Sequence, residues 1–208
     1  MRTFLLGESS DVCGLSTRDE MHELINKAEE LDTLNSVVLS LAAFIRSMWL
    51  LDNAEALELA RKSNQLNPAN ALGIAYLGMV HTHLGDFETG YTLTRKANRL
   101  IVRGTTKSSI AYVAMRSAAC AGHLSEALAI GEQLGRTAPE FIAPKHLIGL
   151  LYLKCDQAEK AEELLIELRR NDPDYSYDRM IDVYRASPLL KNSDIAINAP
   201  KHVFGPIG

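Results

Sequence analysis

Residues 71–104 read ALGIAYLGMVHTHLGDFETGYTLTRKANRLIVRG, and this stretch decides the fold of the chain. An apolar run of helical length leads to Leu84-Gly85-Asp86, and a second run of helical length follows. Glycine favours the end of a helix, and aspartate caps the start of the next helix by accepting backbone N–H hydrogen bonds. The stretch therefore predicts two helices joined by a tight turn.

The same unit recurs along the chain. Pro139 and Pro173 are 34 residues apart, and Pro68 lies two such periods plus three residues before Pro139. Small residues keep a similar interval in the second helix of every unit, at Ala56, Gly90, Ala127 and Ala161. A 34-residue period indicates a solenoid whose units are pairs of antiparallel helices. The three extra residues predict an insertion near 104–107, in a turn between units, where a solenoid tolerates added length.

The period divides the chain into three regions. Residues 37–175 are predicted to form four units, with approximate boundaries at 36–70, 71–104, 105–141 and 142–175. Residues 1–36 hold one amphipathic helix at 17–31, which fits the lone second helix of an incomplete unit. Residues 176–208 are expected to form a capping helix at 177–185 and a tail.

Glycine in the middle of two first helices predicts close packing. Gly78 and Gly149 occupy equivalent positions in the second and fourth units, where glycine costs about 1 kcal/mol relative to alanine. Phe44 and Met115 occupy the same position in the first and third units, and small residues precede them. We therefore expect the helices of the first and third units to pack less closely.

Residues 37–175 resemble the tetratricopeptide repeat family. Leu77-Gly78, Gly85-Asp86, Gly90 and Ala97 of the second unit stand where the motif expects them, whereas Ser40, Ile74, Ala111 and Lys145 replace its early tryptophan. The resemblance implies an all-α, right-handed α-α superhelix of about ten helices. It also implies a protein-binding scaffold without enzymatic activity, and it says little about the ligand.

A second resemblance concerns the end of the repeat region. Residues 164–192, LLIELRRNDPDYSYDRMIDVYRASPLLKN, look like the C-terminal repeat segments of some bacterial adenylate cyclases and winged-helix transcription regulators. This resemblance implies, as an alternative function, the regulatory or sensory half of a bacterial signalling protein.

Composition narrows the possible partners and compartment. The net charge of −4 is unlike the basic excess of most nucleic-acid-binding domains, so no direct nucleic-acid partner is expected. Cys13, Cys120 and Cys155 are few, odd in number and widely spaced, which favours a reducing, cytoplasmic location. The longest apolar stretch, residues 37–51, is interrupted and too short to span a bilayer, so no membrane partner is expected.

The residues that could take part in catalysis or metal binding have simpler structural roles. His81 and His83 are two apart on a helix, so their side chains point in different directions and would not share a metal easily. Ser125, near His123, lies at a turn where helix capping is the expected role. We expect no catalytic residue, metal or cofactor. A basic cluster, Arg95 to Lys107, is interpreted as a solvated face, with an acidic or phosphate-bearing partner as the alternative.

In this architecture the first helices of the units line a concave groove. The register places in that groove, or beside it, the predicted partner-binding residues Leu41, Ile45, Met48, Trp49, Ala75, Met79, Tyr112, Arg116, His146 and Leu150. A mainly apolar groove suits an amphipathic helix or apolar peptide of a protein partner. Two alternatives stay open: a terminal segment of this chain fills the groove, or the chain forms a homodimer through Trp49 and its neighbours.

Overall fold

The computed structural model describes residues 18–101, 104 and 106–173. These residues form an all-α solenoid of the tetratricopeptide type, with nine α-helices and one π-helical turn. The helices are α1 (Arg18–Leu31), α2 (Ser36–Ile45), α3 (Asn53–Leu66), α4 (Ala71–His83), α5 (Phe87–Leu100), α6 (Lys107–Cys120), α7 (Leu124–Thr137), α8 (Ala143–Lys154) and α9 (Ala158–Asn171).

Consecutive helices pack against each other along the chain. Units one to four are α2 with α3, α4 with α5, α6 with α7, and α8 with α9, and α1 precedes them. The predicted cap at 177–185 lies outside the described residues, as do the chain segments 1–17 and 174–208.

Backbone conformation and helix capping at the four turns explain where the chain reverses direction within each helix pair. Gly85 and Gly122 adopt φ values of 87° and 81°, which glycine tolerates best. Leu51 and Asp156 adopt φ values of 59° and 57° in the turns that lack glycine. Asp52 and Asp86 cap α3 and α5 with their carboxylates, as expected. The third and fourth turns differ, because neither α7 nor α9 has a side-chain cap.

Helices α4 and α5 cross at two glycines. A Cβ atom on Gly78 would lie 2.7 Å from Thr94 Cγ2 and 2.9 Å from Gly90 O, and a Cβ atom on Gly90 would lie 2.8 Å from Gly78 O. The Thr82 and Thr94 hydroxyls donate to the Gly78 and Gly90 carbonyls at 3.0 and 2.9 Å. The two backbones therefore approach as closely as glycine allows.

The packing prediction is confirmed for the second unit and wrong for the fourth. Helices α4 and α5 pack most closely of the four pairs, while α8 and α9 pack least closely despite Gly149. The two second helices differ in the size of the residues they bury: α9 has Ala161, Leu165 and Leu168 at the positions of Gly90, Thr94 and Ala97 in α5. These larger side chains keep the backbones of α8 and α9 apart, although α8 contains Gly149.

A π-helical turn, Arg46–Leu50, extends α2. Arg46, the first residue of this turn, contacts both α1 and α3. The guanidinium donates to Glu29 at 2.9 Å, to Glu55 at 2.8 Å and to Asn26 at 2.7 Å. Arg46 is only 3% exposed, and these bonds satisfy a charge that would be costly to bury alone. The contacts hold α1 against the first unit.

Replacing Gly78 with alanine tests the helix crossing. We expect Gly78→Ala to lower the free energy of unfolding by about 1–3 kcal/mol, because the added Cβ displaces the α5 backbone. Gly135→Ala is the matched control: Gly135 also lies in a helix, but its Cβ would have no neighbour within 4 Å. The control should raise stability by up to about 1 kcal/mol through helix propensity. Equal effects of the two substitutions in urea unfolding would contradict the close crossing.

Candidate functional site

Side chains from units one and three contact each other across the second unit. Arg116 Nη1 of α6 donates to Met48 Sδ of the π-helical turn at 3.5 Å, across 68 residues of sequence. This contact brings together residues of the predicted groove that belong to different units. We call the predicted groove surface carrying Leu41, Ile45, Met48, Trp49, Tyr112 and Arg116 the inner face.

The predicted binding residues divide into two groups by exposure. Leu41 is 40% exposed, and Ile45, Met48, Trp49 and Tyr112 are partly buried. The other five are buried: Ala75, Met79, Arg116, His146 and Leu150. Three of these five, Ala75, Met79 and Leu150, belong to hydrophobic core clusters, so their side chains contribute to packing and present little surface to a partner.

The position of Leu41 in the array accounts for its exposure. One period later Ala75 is buried, and His146 is buried at the equivalent position of the fourth unit. The described residues include no first helix before α2, so Leu41 lacks the neighbour that its equivalents have. An apolar side chain is therefore left accessible at the start of the inner face.

Tyr112 and Arg116 form an aromatic and cationic pair on α6. The guanidinium carbon of Arg116 lies 5.5 Å from the centre of the Tyr112 ring, which packs edge-on against Phe141 with 5.5 Å between ring centres. A cation over an aromatic face is stabilised by the ring quadrupole. The pair is therefore held in place before any partner arrives.

A polar group that sequence reasoning missed lies beside Arg116. Ser47 Oγ donates to Asn53 Oδ1 at 2.7 Å and lies 2.5 Å from His83 Nδ1. The tautomer of the imidazole decides whether Ser47 Oγ or His83 Nδ1 donates in this second bond. His83 Nε2 is sealed from solvent and has no hydrogen-bond partner in the described part of the chain. Burial lowers the pKa of His83 to about 3, and the charge of Arg116 adds to the effect.

The described histidines and cysteine thiols are poorly arranged for metal binding or nucleophilic catalysis. His81 Nδ1 pairs with Asp86 at 3.0 Å and His83 with Ser47, so the two rings have different partners. Burial raises the pKa of Cys120 to about 11 and also raises the pKa of Cys155, which keeps both thiols protonated at neutral pH. Within residues 18–101, 104 and 106–173, no three metal-ligating side chains come together.

Three residues of the predicted basic cluster, Arg95, Lys96 and Arg99, lie on α5, while Lys107 begins α6 and Arg103 lies outside the described residues. Arg95 pairs with Glu126 at 3.1 Å and lies 5.6 Å from the centre of the Tyr91 ring, while Lys96 and Arg99 are exposed. A shallow depression of about 350 Å³ is lined by Tyr91, Thr92, Arg95, Lys96, Arg99 and Leu100. Its lining comes from a single helix and one of its cations is already paired, which fits the interpretation as a solvated face.

None of the described helices has the length and apolar character needed to cross a bilayer.

Solved structures share the fold of this chain at low sequence identity. A crystal structure of MamA superposes with a TM-score of 0.53 at 17% identity, covering 76% of this chain and 83% of MamA. The MamA RS-1 ArsTM double mutant superposes with a TM-score of 0.56 at 16% identity, covering 76% of this chain and 93% of the mutant. A further MamA structure superposes with a TM-score of 0.55 at 17% identity, covering 82% of this chain and 92% of that protein. These likenesses support the tetratricopeptide-type solenoid and nothing finer. No family model and no curated protein matches the chain.

His83 makes stability depend on pH. Its pKa of about 3 in the folded chain is below the ordinary 6.5, so between those values the unfolded chain binds a proton that the folded chain excludes. Stability from His83 is therefore complete above pH 6.5 and falls as the pH drops toward 3, by about 1–2 kcal/mol at pH 5. Urea unfolding at pH 7.5 and pH 5 measures this loss.

The variant His83→Asn isolates the effect, because asparagine can still donate to Ser47 but does not titrate. We expect it to show a smaller difference between the two pH values than the unmodified chain. His123→Asn is the control, since the His123 ring is 42% exposed. If His83→Asn retained the full difference, the loss would have to come from other groups.

Proposed function

We propose that the protein is a non-enzymatic interaction module whose inner face binds a helix or extended peptide of a protein partner. The contact between Met48 and Arg116 carries the proposal, because it joins the apolar surface of the first unit to the polar pair of the third. A partner crossing from Leu41 to Tyr112 would meet apolar anchors first and a cation at the end. Such an arrangement suits helix-in-groove recognition, in which i, i+3 and i+4 side chains supply the anchors.

The proposed contacts differ in their roles. Leu41, Ile45, Met48 and Trp49 supply the apolar surface, and Tyr112 and Arg116 supply polar specificity. Ala75, Met79 and Leu150 support this surface from the core, where their burial places them. His146 is buried and has its own interactions, so it is assigned a supporting role as well.

Other parts of the functional hypothesis rest on sequence alone. The cytoplasmic location, the absence of catalysis, the homodimer and the lack of a nucleic-acid partner stay predictions. The regulatory half of a bacterial signalling protein also stays an alternative. It depends on residues 164–192, and those from 174 onward lie outside the described residues.

Two exposed leucines provide a matched test of the inner face. Leu41 on α2 and Leu66 on α3 are 40% and 43% exposed, so aspartate at either site should be tolerated by the fold. Selection from a displayed library of helical peptides, each about 15 residues or four turns long, supplies the probe. We expect Leu41→Asp to reduce peptide recovery at least about tenfold, since one buried apolar anchor contributes about 1.5–3 kcal/mol.

The control Leu66→Asp should bind the selected peptides as the unmodified chain does. Equal losses in both variants would show that binding does not depend on the inner face. Failure of the unmodified chain to enrich any peptide would remove the proposed function.

A further inference from the structure

Helix α1 stands where the second helix of a preceding unit would stand. Met21 lies 35 residues before Ala56, about one period, and α1 packs against α2 as α3 packs against α4. Three apolar residues follow one side of α1 at helical spacing: Met21, Leu24 and Ala28. We call these three residues the α1 stripe.

The α1 stripe is less buried than the same positions in the later units. Leu24 is 51% exposed, and Met21 and Ala28 are half-buried. The residues at the position of Met21 in units one to four are all buried: Ala56, Gly90, Ala127 and Ala161. The residues at the position of Ala28 are buried as well: Ser63, Ala97, Leu134 and Leu168. The α1 stripe therefore lacks a contact that the other second helices have.

That contact is with the first helix of the same unit. In the second unit a Cβ atom on Gly90 would lie 2.8 Å from Gly78 O, and a Cβ atom on Gly78 would lie 2.9 Å from Leu93 Cβ. In the first unit Ser63 Oγ donates to the carbonyl oxygen of Ser36 at 2.6 Å. Gly90, Leu93 and Ser63 occupy the three positions of the α1 stripe. The described residues contain no helix in the corresponding place beside α1.

The seventeen residues before α1 are long enough to supply such a helix. In units one to four the second helix starts 17, 16, 17 and 15 residues after the first helix starts. Residues 1–17 are also joined directly to α1. A tethered segment has a high effective concentration at its site, which a separate chain does not have.

The sequence of residues 1–17 fits this place in the register of the second unit. Small or apolar residues fall on the side toward α1: Leu5, Ser9 and Cys13 take the positions of Ile74, Gly78 and Thr82. Gly78 and Thr82 approach Gly90 of α5, and Ile74 shares a core cluster with Ala97 of α5. The same register would set Leu5, Ser9 and Cys13 against the α1 stripe.

Two acidic residues fall on the other side of this register. Glu8 and Asp11 take the positions of Leu77 and Val80. Those two residues of α4 share core clusters with alanines of α3, in the preceding unit. Acidic residues at such positions suit the polar outer face of a terminal unit, which keeps a repeat array soluble.

We propose that residues 1–17 pack on the α1 stripe as the first helix of an additional unit at the start of the array. The occupant of this surface is thus a segment of the same chain. The inference goes beyond the proposed function, because it concerns α1 and not the inner face. Leu41 would lie at the border between the docked segment and the inner face, so the two surfaces are tested with different substitutions.

Disulfide trapping tests this contact with one new cysteine in the full chain. A Cβ atom on Gly90 would lie 3.0 Å from Thr82 N, so residues at these two positions are close enough for a disulfide. Met21→Cys introduces a thiol at the position of Gly90, and the native Cys13 takes that of Thr82. We expect oxidised glutathione to join residues 13 and 21 within one chain, as measured by mass spectrometry of the peptides.

Glu23→Cys is the matched control for disulfide trapping. Residue 23 is exposed and lies only two positions further along α1, so its side chain points about 200° away from that of residue 21. The disulfide from Cys13 should form at least about tenfold faster in Met21→Cys than in Glu23→Cys, because docking raises the effective concentration of the thiol.

The outcomes decide between the possible occupants. Equal rates in Met21→Cys and Glu23→Cys overturn the proposal, because they mean that residues 1–17 are not held on the α1 stripe. A disulfide that joins two chains also overturns it and assigns the stripe to a second copy. Either failure leaves the proposed function standing if Leu41→Asp still reduces peptide recovery.

Alkylation of the native Cys13 by iodoacetamide gives a second readout without a new cysteine. Leu24→Asp should raise the rate at Cys13 at least about tenfold, because an aspartate in the α1 stripe cannot be buried under the segment without a large cost. Leu100→Asp is the matched control, since Leu100 is also 51% exposed on a second helix, and it should leave the rate unchanged. An unchanged rate in Leu24→Asp would contradict the docking.

Discussion

The close approach of Gly78 and Gly90 is the constraint on which the rest of the array depends. With no Cβ atoms between them, α4 and α5 come close enough for each backbone to contact the other, and two threonine hydroxyls turn back onto the glycine carbonyls. Neighbouring units then dock on this central pair through bonds that span about one period. Thr82 bonds to Ser117, Ser47 to His83, and Tyr91 to Glu126.

These lateral bonds are mostly between neutral partners. Hydroxyl and imidazole groups hold the inner layer, whereas ion pairs lie between layers or on the second helices. A neutral bond in a dry interface avoids the desolvation cost of charge. The first helices α2, α4, α6 and α8 thus contain no carboxylates, and the buried Lys145 of α8 pairs with Glu167 of the second helix α9.

The sequence predicted the helices well because residues close to each helix end determine where that helix begins or ends. Pro68 and Pro139, the turn glycines and the capping aspartates act within a few residues, and a 34-residue period repeats them. The exposure of the predicted binding residues followed less directly from the sequence. Ala75 and Met79 have the register of groove residues, but their exposure depends on how tightly the array curves, and periodicity does not encode curvature.

Two features were beyond reach of the sequence for a related reason. The π-helical turn is stabilised by the bond from Arg46 to Glu29, which lies seventeen residues earlier on α1. No local sequence pattern predicts that pairing. The bond between Ser47 and His83 joins residues 36 positions apart in different units, so it depends on how the units stack.

The π-helical turn also bears on how the units relate to one another. In the first unit two residues, Leu51 and Asp52, separate the paired helices, whereas three residues, 84–86, separate α4 and α5. The π-helical turn Arg46–Leu50 winds more widely and takes up one more residue than an α-helical turn, which compensates for the shorter connection. Phe44 and Ala56 therefore keep the twelve-residue spacing of Gly78 and Gly90. Units one and two are therefore interchangeable in length but not in winding. A duplicated copy of either would fit the array, and only the first would bring a side chain that fastens a preceding helix.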